Sequence, residues 1–177
     1  MKLAVQVYSV RDHINDSETL LKALEEIQKI GYDGVEFAGF FGADAAAIKA
    51  KLDEVGLVCV GAHMGLDDFK EDKLEATIEF MNTLGAKAVG VGGAPHSTME
   101  EAVNTGDVLG AAEKYAMDKY GMKVYYHNHC EEFKALENGL FPIDVIGDRC
   151  SLEIDTYWSF HAGEDNYKLL TEKKGNI

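Results

Sequence analysis

The sequence predicts an α/β protein built on a parallel sheet. Of the two architectures that alternating strand and helix units allow, it favours a closed (β/α)8 barrel over an open doubly wound sheet. Three observations predict this. Short apolar, β-branched runs alternate with longer amphipathic stretches at a period of about thirty residues. Glycines fall at the ends of the helical stretches. Polar side chains collect at the C-terminal ends of at least five of the strand-like runs. In an open sheet such residues would be strung along an edge at about 4.8 Å per strand, whereas in a barrel they converge on one mouth, where barrel enzymes keep their chemistry.

Each element has its own signal. Residues 3–8 form a first strand ending in Gln6 and Tyr8. Residues 17–30 follow as a helix, with Ser17 as N-cap ahead of Leu20 and Leu21 and with Gly31 as a left-handed stop. A strand at 34–37 carries Glu36 near its end, a helix at 43–55 stops at Gly56, and a strand at 57–63 ends in His63. The helix at 70–84 stops at Gly85, and the strand at 88–92 runs into Gly92-Gly93, either a plain βα turn or a backbone loop able to approach an anion. A helix at 99–119 stops at Gly121, and strands at 123–129 and 151–155 carry His127, His129, Glu153 and Asp155 at their ends. No Pro- or Ser-rich linker interrupts this succession, so residues 1–177 are expected to form a single domain. A barrel of this type needs eight strands and about 250 residues. Only six strands precede Gly175-Asn176-Ile177, so the expected barrel is truncated after its sixth βα unit, with strands 7 and 8 missing. Such a piece would leave its first and sixth strands as unpaired edges, and it is expected to be a homo-oligomer pairing through them or to aggregate.

Composition narrows the function classes. A hydrophobic content of 46% with two prolines excludes a disordered or collagen-like chain. The formal charge of −14 comes from 31 acids against 17 bases; with no cluster of Lys and Arg to neutralise phosphates, nucleic acid is not an expected partner. No apolar run long enough for a membrane span and no signal-peptide pattern is present, so no membrane partner and a cytoplasmic location are expected. Cys59, Cys130 and Cys150 are odd in number and lack a CxxC spacing, so no disulfide framework follows. Cys130, beside His129, has no recognisable third group to orient it as a nucleophile.

Two segments carry the chemistry, Tyr125-Tyr126-His127-Asn128-His129 and Leu152-Glu153-Ile154-Asp155-Thr156-Tyr157-Trp158. At a period of two, His127 and His129 share one face of their strand, as do Glu153 and Asp155 of theirs. Imidazoles and carboxylates then meet at the same ends of two parallel strands. That is the donor set a divalent metal takes, and one that is costly to bury unpaired. Glu153, lying deeper than Asp155, is expected in a buried ion pair.

The stretches Gln6-Val7-Tyr8-Ser9-Val10-Arg11-Asp12, Gly31-Tyr32-Asp33-Gly34-Val35-Glu36-Phe37-Ala38-Gly39, Tyr126-His127-Asn128-His129 with Glu132-Phe133, and Glu153-Ile154-Asp155-Thr156-Tyr157-Trp158 resemble the sugar phosphate isomerase/epimerase family with its xylose-isomerase-like TIM barrel. The resemblance runs through nearly the whole chain in order. It implies a divalent metal (Mn, Mg, Zn or Co) held by ligands from the last four strands. Asp155 then matches the family's metal-binding aspartate, the alternative being a helix-capping Asp. His127 falls where epimerases of the family carry a glutamate that binds metal and moves a proton, and it is read as both ligand and catalytic acid or base. Glu132 is expected to complete the metal shell or to brace the histidines. His129 and Tyr8 are expected to bind substrate; His63 is expected to bind it and Glu36 to serve as a catalytic group facing it, the alternative for both being a structural hydrogen bond across the barrel top. Trp158 is expected to stack on a sugar ring, or else to close the rim as a core aromatic. His13, His96 and His161 fall in loops and are weak candidates.

The implied function is isomerisation or epimerisation of a small polyhydroxylated carbonyl compound, a sugar, sugar phosphate or cyclitol. The Tyr-His-x-His pattern is also similar to that of inosose dehydratases, which makes a lyase the alternative; a sugar-binding fragment without activity is the competing class. An endonuclease of the same superfamily conflicts with the acidic charge.

Overall fold

The structure, a computed structural model, describes residues 2–177. Six strands follow the chain: β1 (Ala4–Gln6), β2 (Gly34–Phe37), β3 (Val58–Met64), β4 (Ala88–Val91), β5 (Lys123–His127) and β6 (Ser151–Glu153). The sheet takes them in the order β1-β2-β3-β4-β5-β6, and the registered pairs are parallel. A doubly wound sheet reverses its strand order at a switch point, so an order that only advances is that of a barrel wall. The fold is therefore the predicted strand and helix alternation of a TIM barrel. The chain divides into two compact units, one running up to Met64 and including Glu75–Val89, the other made of Gly65–Leu74 and Gly90–Ile177.

In the first unit, α1 (Ser17–Ile30) buries Leu20, Leu24 and Ile27, a stripe at the spacing of one helical face. Its N-cap is Asp16, not Ser17 as the sequence suggested. Asp16 holds the extended backbone a cap requires, and its Oδ1 accepts from the Thr19 amide at 2.8 Å while Thr19 Oγ1 accepts from the Asp16 amide at 3.0 Å. That backbone bond holds the Asp16 carboxyl below its usual range. Asp44 caps α2 (Ala45–Val55) by accepting from the Ala47 amide at 2.8 Å, and Gly31 and Gly56 end the two helices with φ of 108° and 78°. β1 is shorter than expected. After Gln6 the chain winds into a 3-10 turn, Val7–His13, because the Gln6 side chain accepts from the Tyr8 amide at 3.1 Å and so takes over a bond the ladder would have made. Tyr8 thus sits on that turn and not at a strand end; the residue is 58% exposed, with the Arg11 guanidinium carbon 4.2 Å from its ring centre. Between β2 and β3 the register shifts at Val35/Glu36, where Cys59 and Gly61 are the successive partners and Val60 is the extra residue.

The helix between β3 and β4 is α3 (Glu71–Thr83). In the second unit, α4 (Met99–Tyr120) is opened by a Thr98/Glu101 capping box and closed by Gly121. Its buried face is Ala102, Thr105, Gly106, Leu109, Ala112 and Ala116, mostly small, which lets neighbouring backbone come close. A Cβ at Gly110 would stand 2.4 Å from the Arg149 carbonyl oxygen, and one at Gly90 would stand 2.2 Å from that of Tyr125, so glycine is required at both contacts. Glu113 on α4 accepts from the Ser151 amide at 2.9 Å and from its hydroxyl at 2.6 Å, fixing the start of β6. β5 and β6 pair Tyr125 with Ser151, Tyr126 with Leu152 and His127 with Glu153. β6 stops at Glu153, so Asp155 lies beyond the strand on which the sequence placed it. The short helices α5 (Pro142–Gly147), α6 (Thr156–His161) and α7 (Asn166–Glu172) were not anticipated, since fewer than two turns leave no periodicity to read. Seven residues, from Gly92 to Thr98, separate β4 from α4, so Gly92-Gly93 does not open directly onto a helix N-terminus. No helix among the described residues is long and apolar enough to cross a membrane.

Burial pushes the thiols of Cys59 and Cys150 up to about 12, whereas Cys130 is partly exposed. At about pH 8 a disulfide reagent should therefore titrate one thiol per native chain quickly and three after denaturation, because only the thiolate reacts. Rapid release from two or three thiols in the native protein would show that the buried strands open readily.

Candidate functional site

The second unit brings together the two segments that the sequence marks out. Register places His127 opposite Glu153, and His127 Nδ1 lies 3.0 Å from Glu153 Oε2. A carboxylate only accepts, so Nδ1–H donates, and in the neutral imidazole the lone pair is then at Nε2. Nε2 faces Asp155 Oδ2 at 3.8 Å. Glu153 has the partner the sequence required of it, but it is not buried, since 37% of its side chain is exposed.

Asp155 reaches that position because it is the N-cap of α6. Its Oδ1 accepts from the amides of Tyr157 at 2.8 Å and Trp158 at 3.0 Å, which leaves Oδ2 turned toward His127. The two readings of this residue, cap and potential ligand, are thus both compatible with its geometry, one oxygen for each. The same cap sets the first turn of α6, and with it Trp158, whose ring lies 5.3 Å from that of His129; His129 in turn meets His127 edge-on at 5.1 Å. His161, at the other end of α6, stands 5.8 Å from Trp158 and stacks on Tyr157.

Under these rings lies a buried polar network. Glu132 is 1% exposed; its Oε1 accepts from the Tyr126 hydroxyl at 2.7 Å and its Oε2 from the His129 amide at 2.9 Å. Both oxygens are thus committed to donors of the protein interior. Burial, then the neighbouring Glu132 charge, raise the Tyr126 hydroxyl's pKa and keep it protonated as a donor. His96 Nδ1 donates to the Ala94 carbonyl at 2.8 Å and lies 3.2 Å from the Tyr126 hydroxyl oxygen. Asn128, fully buried, accepts from the Asp155 amide at 2.9 Å and donates to the Asp155 carbonyl at 3.3 Å and the His129 carbonyl at 3.2 Å.

In the first unit the strand ends carry a separate polar group. β1 and β2 pair Gln6 with Glu36, and Gln6 Nε2 donates to Glu36 Oε2 at 2.7 Å. His63 Nε2 lies 3.5 Å from the same oxygen, and its Nδ1 is 3.5 Å from Gln6 Nε2. Glu36 and His63 are thus placed together, whereas Tyr8 points into solvent with Arg11.

Asn128 and Tyr126 are the polar residues to which sequence reasoning gave no role, and His96 is one that it rated only a weak candidate. For Asn128 a signal existed: between two histidines that share a face it must point the other way, into packed interior, where a carboxamide needs partners. For His96 none did, because its loop carries no periodicity.

Parallel strands that carry imidazole, carboxylate and amide groups at their C-terminal ends define the class as a TIM-barrel type of protein. Residues 24–175 match the xylose isomerase-like TIM barrel family, and the chain belongs to that family. Solved structures agree in fold. A sugar phosphate isomerase/epimerase from Parabacteroides distasonis superposes with a TM-score of 0.84 at 18% identity, over 99% of this chain and 75% of its own. An L-ribulose 3-epimerase gives 0.73 at 17% identity, over 100% and 68%. The IOLI protein, in a structure with a bound zinc atom, gives 0.66 at 18% identity, over 96% and 68%. Likeness at such identities establishes the fold. Among curated proteins none matches the chain significantly in sequence.

Proposed function

We propose that the protein is a metal-dependent isomerase or epimerase of a small polyhydroxylated carbonyl compound, a sugar, sugar phosphate or cyclitol. One observation carries this reading: His127, oriented by the bond from its Nδ1 to Glu153, presents Nε2 to Asp155 Oδ2 at 3.8 Å. That separation is too long for a hydrogen bond, and two such donor atoms side by side fit one divalent cation, with Glu153 as the carboxylate that orients a ligating imidazole. His127 and Asp155 would hold the ion. When bound, a divalent ion supplies Lewis-acid stabilisation of the charge that develops on a carbonyl and its neighbouring hydroxyl. Three of the structural neighbours, named a sugar phosphate isomerase/epimerase, an L-ribulose 3-epimerase and a protein with a bound zinc atom, support the same reading. His129 is assigned to substrate hydroxyls and Trp158 to the apolar face of the sugar ring. Glu132 is assigned as a brace of the histidine loop and not as a ligand, since both its oxygens already accept from buried donors. In the first unit, the Gln6 bond keeps the Glu36 carboxylate in one orientation, as a proton-transfer group requires. His63, 3.5 Å from Glu36, is assigned to substrate hydroxyls, and Tyr8, turned to solvent with Arg11, is given no role.

Calorimetric titration with Mn²⁺, Zn²⁺ and Co²⁺, followed by a panel of ketoses, aldoses, their phosphates and cyclitols in D₂O, tests the reading. The expected result is one bound ion per chain, and deuterium incorporated beside the carbonyl of at least one substrate. His127→Ala should lower both metal affinity and exchange by at least about tenfold. Exchange with accumulation of an unsaturated product would move the assignment to a dehydratase. A native protein that binds sugar but neither metal nor deuterium would be a binding module.

A further inference from the structure

The ladder between β5 and β6 ends at the pair His127 and Glu153. No registered pair follows it, yet Asp155 must be placed against His127 to within fractions of an ångström if the two are to share a cation. The Asn128 side chain supplies the missing connection. Its Oδ1 accepts from the Asp155 amide at 2.9 Å and its Nδ2 donates to the Asp155 carbonyl at 3.3 Å, so one carboxamide engages both backbone groups of Asp155 as a strand partner would. The third contact, Nδ2 to the His129 carbonyl at 3.2 Å, ties the same carboxamide to the histidine loop. Asn128 has no exposed surface and lies next to His127 in sequence, so its position is set by the packed end of β5 and not by solvent.

We propose that Asn128 is the positioning residue of the metal site: it clamps the Asp155 backbone to the end of β5 and so sets the spacing between His127 Nε2 and Asp155 Oδ2. The role rests on the metal-binding reading above. A single bond would leave the Asp155 peptide free to turn about it. Two bonds to the same carboxamide plane fix its rotation, and with it the direction of the Asp155 side chain.

The test uses Asn128→Ala and Asn128→Ser, which both remove the three bonds and differ in whether a hydroxyl remains to hold a water if the alanine variant fails to fold. In metal-free protein, hydrogen exchange at the Asp155 amide should accelerate in either variant. With Co²⁺, the dissociation constant should rise by about 10- to 100-fold and the ligand-field absorption bands should shift, at temperatures well below the melting transition. Folded variants with native Co²⁺ affinity and spectrum would overturn the clamp. Asp155→Ala run in parallel separates the two claims. If it leaves Co²⁺ binding intact, the metal site itself is misassigned; if it abolishes binding while both Asn128 variants bind as native, only the positioning role fails.

Discussion

Asp155→Ala is expected to abolish stoichiometric binding of Mn²⁺ or Zn²⁺ and to lower stability at the same time. The two losses have separate causes, because the two carboxylate oxygens do different things. Oδ1 accepts from the amides of Tyr157 and Trp158 and caps α6, a contribution of about 1 kcal/mol. Oδ2 faces His127 Nε2. Asp155→Asn separates them: asparagine caps a helix about as well as aspartate, but its neutral amide is a poor ligand for a hard cation. The asparagine variant should therefore melt within a few degrees of the native protein and bind metal at least about 10- to 100-fold more weakly. Thermal melting followed by calorimetric metal titration of both variants checks this. Native metal affinity in Asp155→Asn would remove Asp155 from the site and leave it only a cap.

Glu132→Ala should be the most destabilising single change at the candidate site. Glu132 receives the Tyr126 hydroxyl and the His129 amide in a place water does not reach, with 1% of the residue exposed. Removing the carboxylate strands both donors, at about 1–3 kcal/mol each, and leaves a small cavity besides. A total of about 3–5 kcal/mol is a large part of an ordinary domain's stability. Glu132→Gln keeps the shape and one acceptor and should recover most of it. Denaturant unfolding of the pair is the measurement, and a Glu132→Ala variant within about 1 kcal/mol of native would mean that water enters and satisfies the network.

The strand and helix succession was legible because it depends on local rules. Period-two and period-3.6 patterning, glycine stops at Gly31, Gly56, Gly85 and Gly121, and apolar stripes such as Leu20-Leu24-Ile27 are satisfied residue by residue, and all are present in the folded chain. The errors lie at the ends of elements, where a side chain competes with the backbone. Asp16 displaced Ser17 as cap because a carboxylate completes a reciprocal pair with Thr19. Gln6 ended β1 two residues early by taking the Tyr8 amide, and Asp155 ended the last strand by turning to cap α6. Such competition is decided by bonds that spacing alone does not reveal.

By itself the sequence determined the class of fold and singled out the candidate side chains, because alternation places His127 with His129 and Glu153 with Asp155 whatever the distant packing. Only the tertiary structure decided which partner each of them meets. Register set His127 against Glu153, burial committed both oxygens of Glu132 to Tyr126 and His129, and the helix cap turned one oxygen of Asp155 toward the imidazole. Asn128 shows the division most clearly. Its place between two histidines is written in the chain, but its role depends on Asp155, 27 residues away, arriving where one carboxamide can meet both its amide and its carbonyl. Local propensity acts through a residue's near neighbours, whereas hydrogen-bond satisfaction in a packed interior depends on partners that only the folded chain brings within 3 Å or so.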